Sequence, residues 1–211
     1  MTGAADPHGP VASFRCISAA GKTIERVLNA CFVADQPISV NKPTRAVLVR
    51  SEDFDRPAEH ATTIPANALS VFLYRVEVNK VMRAAWSGVA SFDGQIHLPL
   101  DLHYLMTAWA ENAEWEQQIL GKAMQCLESF PNLSGPMLYP TGDWSANEAV
   151  HLTIEDLGID SLMRTFDSLA LDYRLSVPYL ARIVRLDGRT VEPPASTSKV
   201  VTGVTPVAAT P

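Results

Sequence analysis

The sequence predicts an α+β fold: a single domain with a mixed, largely antiparallel sheet flanked by two to three helices, followed by a flexible C-terminal tail. Three observations carry this. Apolar and other residues alternate from Ile96 to Ala108, a period of two that only an extended strand with one buried face calls for. Two segments, Phe14 to Cys31 and Glu111 to Phe130, repeat their apolar residues every three or four positions, the spacing of one helix face. Past Gly188 the composition changes to Pro, Thr, Ser, Ala and Val, with no aromatic residue beyond Tyr179. The chain divides accordingly into a leader (1–10), a folded domain (11–187) and a tail (188–211). Its 211 residues are 47% apolar and 19% charged, a globular balance. A domain of this size buries roughly 70% of its unfolded surface and needs no staples.

Each element has its own signal. In the first helix Phe14, Ile17, Gly21, Ile24, Leu28 and Cys31 form the stripe, which leaves Ala19, Lys22, Thr23, Glu25 and Arg26 for solvent, and Pro37 closes the region. Arg45 to Arg50 reads as a short strand, and Ser51 to Pro65, with its acids and prolines, as a loop. Leu69 to Val78 begins apolar on both faces and then alternates, Val76 and Val78 opposing Arg75 and Glu77, so its second half is expected to have one wet face. Gly88 and Asp93-Gly94 mark turns. In the long strand Ile96, Leu98, Leu100, Leu102, Tyr104, Met106 and Ala108 take the buried face. Pro99 cannot donate to a ladder, so it belongs at a sheet edge or a bulge. Trp115, Ile119, Ala123, Leu127 and Phe130 stripe the second helix, which Pro131 stops. Val150, Leu152 and Ile154 alternate as a strand. Gly158 to Leu169 fits a third helix, with Asp160 as cap and Ile159, Leu162, Met163 and Phe166 apolar. Tyr179 to Leu186 is the last strand.

Charge and cysteine content bound the function. Seventeen Lys and Arg against twenty-three Asp and Glu give a net charge of −6. Nucleic-acid binders concentrate positive charge to displace counterions, so no nucleic acid is expected. Cys16, Cys31 and Cys126 are odd in number and lack Cys-x-x-Cys spacing, which argues against a disulfide framework or a cysteine zinc site. Neither a signal-peptide pattern nor a run of about 18 apolar residues is present. The expectation is a protein made in a reducing compartment, with no direct membrane insertion.

Few residues form a chemical constellation. Gly21-Lys22-Thr23 has Cys16 where a phosphate loop needs glycine, and it sits inside a helical pattern. His97, Asp101 and His103 share one strand face and supply the ligand types of a hydrolytic metal site. In an extended strand, however, they stand about 13 and 7 Å apart at roughly 3.3 Å per residue. Glu155, Asp156 and Asp160 flank a helix start, where acids favour the dipole. Arg174, Arg182 and Arg185 gather around the last strand, either as edge charge that discourages pairing or as contacts for an acidic partner. In the tail, Ser198-Lys199-Val200-Val201-Thr202 is a strand-prone run without proline. Lys199, Val200 and Val201 therefore join the three arginines as candidate interface residues. No catalytic or cofactor-binding residue stands out. A small metal-assisted hydrolase using His97, Asp101 and His103 is the enzymatic alternative.

Three segments resemble a known family. They are Leu98-Pro99-Leu100-Asp101-Leu102-His103-Tyr104-Leu105-Met106-Thr107-Ala108-Trp109, Ile119-Leu120-Gly121-Lys122-Ala123-Met124, and Tyr173-Arg174-Leu175-Ser176-Val177-Pro178-Tyr179. In this order, over roughly residues 14–187, they are similar to the N-terminal domain of cap proteins from extracellular contractile injection systems, the phage-tail-like particles of bacteria and archaea. The resemblance implies a tail-terminator-like core and a structural role without cofactors. It also implies a homo-hexameric ring on the sheath and inner tube at the end distal to the baseplate, assembled in the cytoplasm and carried on a particle that can be released. A soluble assembly adaptor that leaves the finished particle is the second structural alternative.

Overall fold

The computed structural model describes residues 12–54, 64–86, 96–145, 147–169 and 172–188. The expected leader, the tail with Lys199, Val200 and Val201, and the turn signals at Gly88 and Asp93-Gly94 lie outside the described residues.

Six strands form one sheet: β1 (Arg45–Val49), β2 (Ala68–Val78), β3 (His97–Trp109), β4 (Asn132–Ser134), β5 (Ala149–Ile154) and β6 (Ser176–Asp187). Their order is β1-β2-β3-β6-β5-β4. β1 runs parallel to β2 and every other pairing is antiparallel, so the sheet is mixed and largely antiparallel. Among the described residues four α-helices accompany it: α1 (Cys16–Ala34), α2 (Lys80–Ala85), α3 (Ala113–Ser129) and α4 (Ile159–Asp167). Helix α3 starts where Asn112 accepts a hydrogen bond from Trp115 N at 3.0 Å, an N-cap that meets one of the orphan donors of the first turn. Asn79 does the same for α2 through Met82 N. Both α2 and the three-residue β4 are too short to show periodicity in the sequence.

β3 is the centre of the molecule, paired with β2 on one side and β6 on the other. Its even-numbered residues Leu100, Leu102, Tyr104, Met106 and Ala108 are buried, and they join Ile24, Leu28 and Phe32 of α1 and Ile119, Ala123 and Leu127 of α3 in the main core. The expected second face of β3 differs from a wet one. Leu105, Thr107 and Trp109 are buried as well, because α4 lays Leu162 and Phe166 against Leu105 while Phe54 and Ile64 pack on Trp109. Pro99 lies beyond the last β2 pair, Val78 with Leu100, and the β6 register shifts between Leu100 and Leu102. It therefore sits beside a bulge in a central strand.

The α1 stripe is wider than a single face. Phe14 is 69% exposed, whereas Ala19 and Thr23, expected in solvent, are fully buried. The reason is a second partner: the segment 135–142 closes over α1, and Thr23 Oγ1 accepts from Tyr139 N at 2.8 Å. Gly21 permits the close approach of α1 to the sheet, since a Cβ there would stand 3.0 Å from Leu48 Cδ2. Val76 and Val78 are 45% and 41% exposed, at the end of β2 that pairs with β3 but that β1, reaching only as far as Phe72, does not flank. In α4, Ile159 and Met163 are exposed and Leu162 and Phe166 alone carry the packing. Gly158 occupies the cap position, and Asp160 lies in the first turn.

Leu102 is fully buried at the middle of this core. Leu102→Ala is expected to cost about 2–5 kcal/mol, the range for emptying a buried leucine site. Chemical denaturation of the folded domain checks it, and a mutant as stable as the parent would contradict the central place of β3.

Candidate functional site

His97, Asp101 and His103 point from the same side of β3 but enter three separate networks. His97 Nδ1 meets the Asp187 carboxylate at the far end of β6. Asp101 Oδ2 accepts from Asn79 Nδ2 at 2.9 Å, fastening β3 to the cap of α2. The His103 Nδ1 atom lies 2.9 Å from Glu155 Oε1, and Glu155 also accepts from Tyr74 Oη at 2.8 Å and Arg75 Nη2 at 3.1 Å. Among the described residues no group of three or more His, Cys, Asp and Glu side chains is placed to hold a metal ion. The metal-site alternative is thus corrected by geometry: the strand spacing keeps the three apart, and each has a closer partner from another element.

Asp187 is the hub of the first network. Its side chain is fully buried; it accepts from Arg185 Nε and Nη2, both at 2.7 Å, and from the Ala12 amide at 2.9 Å. Burial by itself raises the pKa of a carboxyl, yet hydrogen bonds from Arg185 and His97, and their charges, hold this one below its ordinary value. The neighbouring Glu148 goes the other way: burial pushes it up despite the Ser145 amide and the Arg185 charge. Tyr74 is pushed up by burial and by its bond to ionised Glu155. These clusters cross-link β2, β3, β5 and β6. Sequence reasoning missed Asp187, Glu155 and Asn79 as partners because they lie 90, 52 and 22 residues away from the groups they hold, and no local spacing reports such contacts.

The other sequence candidates find plain places. Gly21-Lys22-Thr23 lies inside α1. Glu155 is taken up by the His103 cluster, while Asp160 sits exposed at the start of α4, where it favours the helix dipole. Of the arginines, Arg174 lies 4.5 Å from the centre of the Trp109 ring and 3.3 Å from Glu116, and Arg185 is held by Asp187. Arg182 is exposed in β6. A groove of about 750 Å³ runs between α1 and α3, lined by Arg26, Cys31, Lys122, Gln125, Phe130 and Met137 among others.

Cysteine chemistry departs from expectation. Cys31 of α1 and Cys126 of α3 are joined by a disulfide across 95 residues of chain, and Cys16 is free and buried. The pairing was invisible to spacing because helix packing alone brings the two positions together, with Cα atoms 6.2 Å apart.

Buried polar groups thus tie strand to strand across an α+β sheet, with an exposed strand end and a helix groove at its surface. The chain belongs to the family described as the Pvc16 N-terminal domain, whose model matches residues 20–198. This agrees with the resemblance carried by the β3, α3 and β6 segments. No curated protein sequence matches the chain. Among the solved structures similar to it are a terminator and a cap. One is a PVC sheath/tube terminator of an extracellular contractile injection system in the extended state, 16% identical with a TM-score of 0.49, covering 89% of this chain and 64% of that one. The other is the anti-feeding prophage tube-terminating cap, 20% identical with a TM-score of 0.47, covering 89% and 59%. The chain thus spans somewhat under two thirds of the length of either.

Removing the Asp187 carboxylate would take a shared, buried acceptor away from Arg185, His97 and the Ala12 amide. Asp187→Ala is expected to cost about 3–5 kcal/mol. Because its folded pKa is depressed, the stabilisation from Asp187 is present above the unfolded value near 3.9 and fades as pH falls through the lower folded value. Denaturation midpoints measured from pH 6 down to pH 2 are therefore expected to drop more steeply below about pH 4 in the parent than in the mutant.

Proposed function

We propose that this protein is a structural cap, a terminator that closes the baseplate-distal end of the inner tube and contractile sheath of a phage-tail-like injection particle. The observation that carries the reading is membership of the Pvc16 N-terminal domain family over residues 20–198, taken with what the resemblance to cap proteins implies. Its partners are the sheath and tube proteins and further copies of itself. Six copies form a ring, each meeting the next through a heterologous face that closes after one turn. A polymer stops when its last ring offers one matching surface and no copy of the next, so the role needs binding faces and no catalysis. Assembly takes place in the cytoplasm, and the cap then travels with the particle.

In this reading exposed Arg182 serves the contacts, and the run with Lys199, Val200 and Val201 acts as an arm. Added as a strand to a sheet of the last sheath ring, it would gain affinity from main-chain hydrogen bonds and specificity from alternating side chains.

Imaging of particles is expected to show six-fold density for this chain at the distal end, and deletion of the chain to give tubes and sheaths of uncontrolled length. Particles of normal length lacking the chain at that end would overturn the proposal. Truncation after Asp187 is expected to leave the isolated domain melting as before while sheaths on truncated caps fray or contract early. Sheaths of normal length and stability would assign the grip to the folded domain alone.

A further inference from the structure

The three cysteines differ in access in a way that matters for chemistry. Cys31 and Cys126 both line the groove between α1 and α3, Cys31 half-buried and Cys126 only 4% exposed. Cys16 is fully buried at the other end of α1, and burial pushes its thiol up to about 11, which keeps it a thiol. With both at one groove and Cys31 the more exposed, thiol–disulfide exchange is directed to start at Cys31.

The bond also spans much of the fold. Between Cys31 and Cys126 lie β1, β2, α2 and β3, so closing it ties the outer half of the sheet and most of α3 into one covalent loop. Beside it the helices are joined by one ion pair at the groove rim, Lys122 with Asp35, in which Asp35 is 74% exposed. Solvent weakens such a pair.

We propose that Cys31 and Cys126 form a redox fastening of α1 to α3, open while the chain is made in a reducing compartment and closed by exchange at Cys31 once it meets an oxidising medium. The timing rests on the cap reading; the chemistry does not. In the closing reaction the Cys31 thiolate attacks a small-molecule disulfide of the glutathione class, forming a mixed disulfide and releasing one thiolate. The Cys126 thiol then gives up its proton and its sulfur attacks Cys31 Sγ, releasing the second. The protein dithiol is oxidised, and the small disulfide is reduced to two thiols.

The test uses the full-length protein, fully reduced and then exposed to oxidised glutathione, with thiols counted by maleimide labelling and intact mass. Three thiols are expected in reductant and one, Cys16, after oxidation. Cys126→Ser is expected to trap glutathione on Cys31, and Cys31→Ser to leave Cys126 unmodified. The oxidised protein should melt about 10 °C above the reduced one, given a closed loop of this length in a domain of this size. That gap should vanish in Cys31→Ser and persist in Cys16→Ser. Three thiols remaining after oxidation, or closure without a melting gap, would overturn the fastening. Thiols counted on purified particles test the timing, and an open pair there would overturn it. Because the free chain is measured alone, a failure of the cap reading leaves the exchange result standing.

Discussion

A sheet leaves unpaired N–H and C=O groups along its outermost strand, and a helix laid against that strand makes each of them costly unless a side chain meets it. Helix α1 solves this at both of its flanks. Asn29 takes the place of a neighbouring strand, its Nδ2 donating to Ala46 O at 2.9 Å and its Oδ1 accepting from Ala46 N at 3.0 Å. Glu25 accepts from Leu48 N at 3.2 Å. On the other flank the Arg26 guanidinium donates to the carbonyls of Pro136 and Met137, both at 2.6 Å, and of Leu138 at 3.2 Å. The apolar stripe sets α1 on the sheet, and these polar residues fix where along the sheet it rests. The segment 135–142, and through Tyr139 the burial of Thr23, follow from that placement.

The polar clusters on the opposite face of β3 do a similar job by charge. His103, Glu155, Arg75 and Tyr74 join three elements, and His97, Asp187, Arg185 and the Ala12 amide join the start of β3 to the end of β6. The first sits beside a register shift in β2 between Leu73 and Arg75, where a bulge disrupts the ladder and side chains add cross-strand ties; the second closes the regularly paired end of β3 and β6, His97 opposite Asp187. Ties of this kind resist the sliding of strands that apolar contact alone permits.

Elements whose signal is local were legible in the sequence. The alternation through β3 and the stripes of α1 and α3 mark the core strand and its two covering helices, and Leu102, Ile24 and Ile119, which these patterns assign to the core, lie there. What escaped depended on tertiary partners. Ala19 and Thr23 looked solvated because nothing near them in sequence announces segment 135–142. Leu105 and Trp109 sat on a face that seemed wet until α4 and Phe54 covered it. The disulfide was missed for the same reason. Of the candidate interface, Arg174 and Arg185 have carboxylate partners within the fold, which a lone arginine in sequence does not reveal.

The seal that Asn29 and Glu25 place on β1 reaches beyond stability. An outer strand with free backbone groups is a template on which other chains aggregate. Here the template is already occupied by the chain's own helix, and strand addition at β1 would first require α1 to peel away from the core. Solubility at that margin is therefore secured by two side chains that hydropathy alone would have assigned to water.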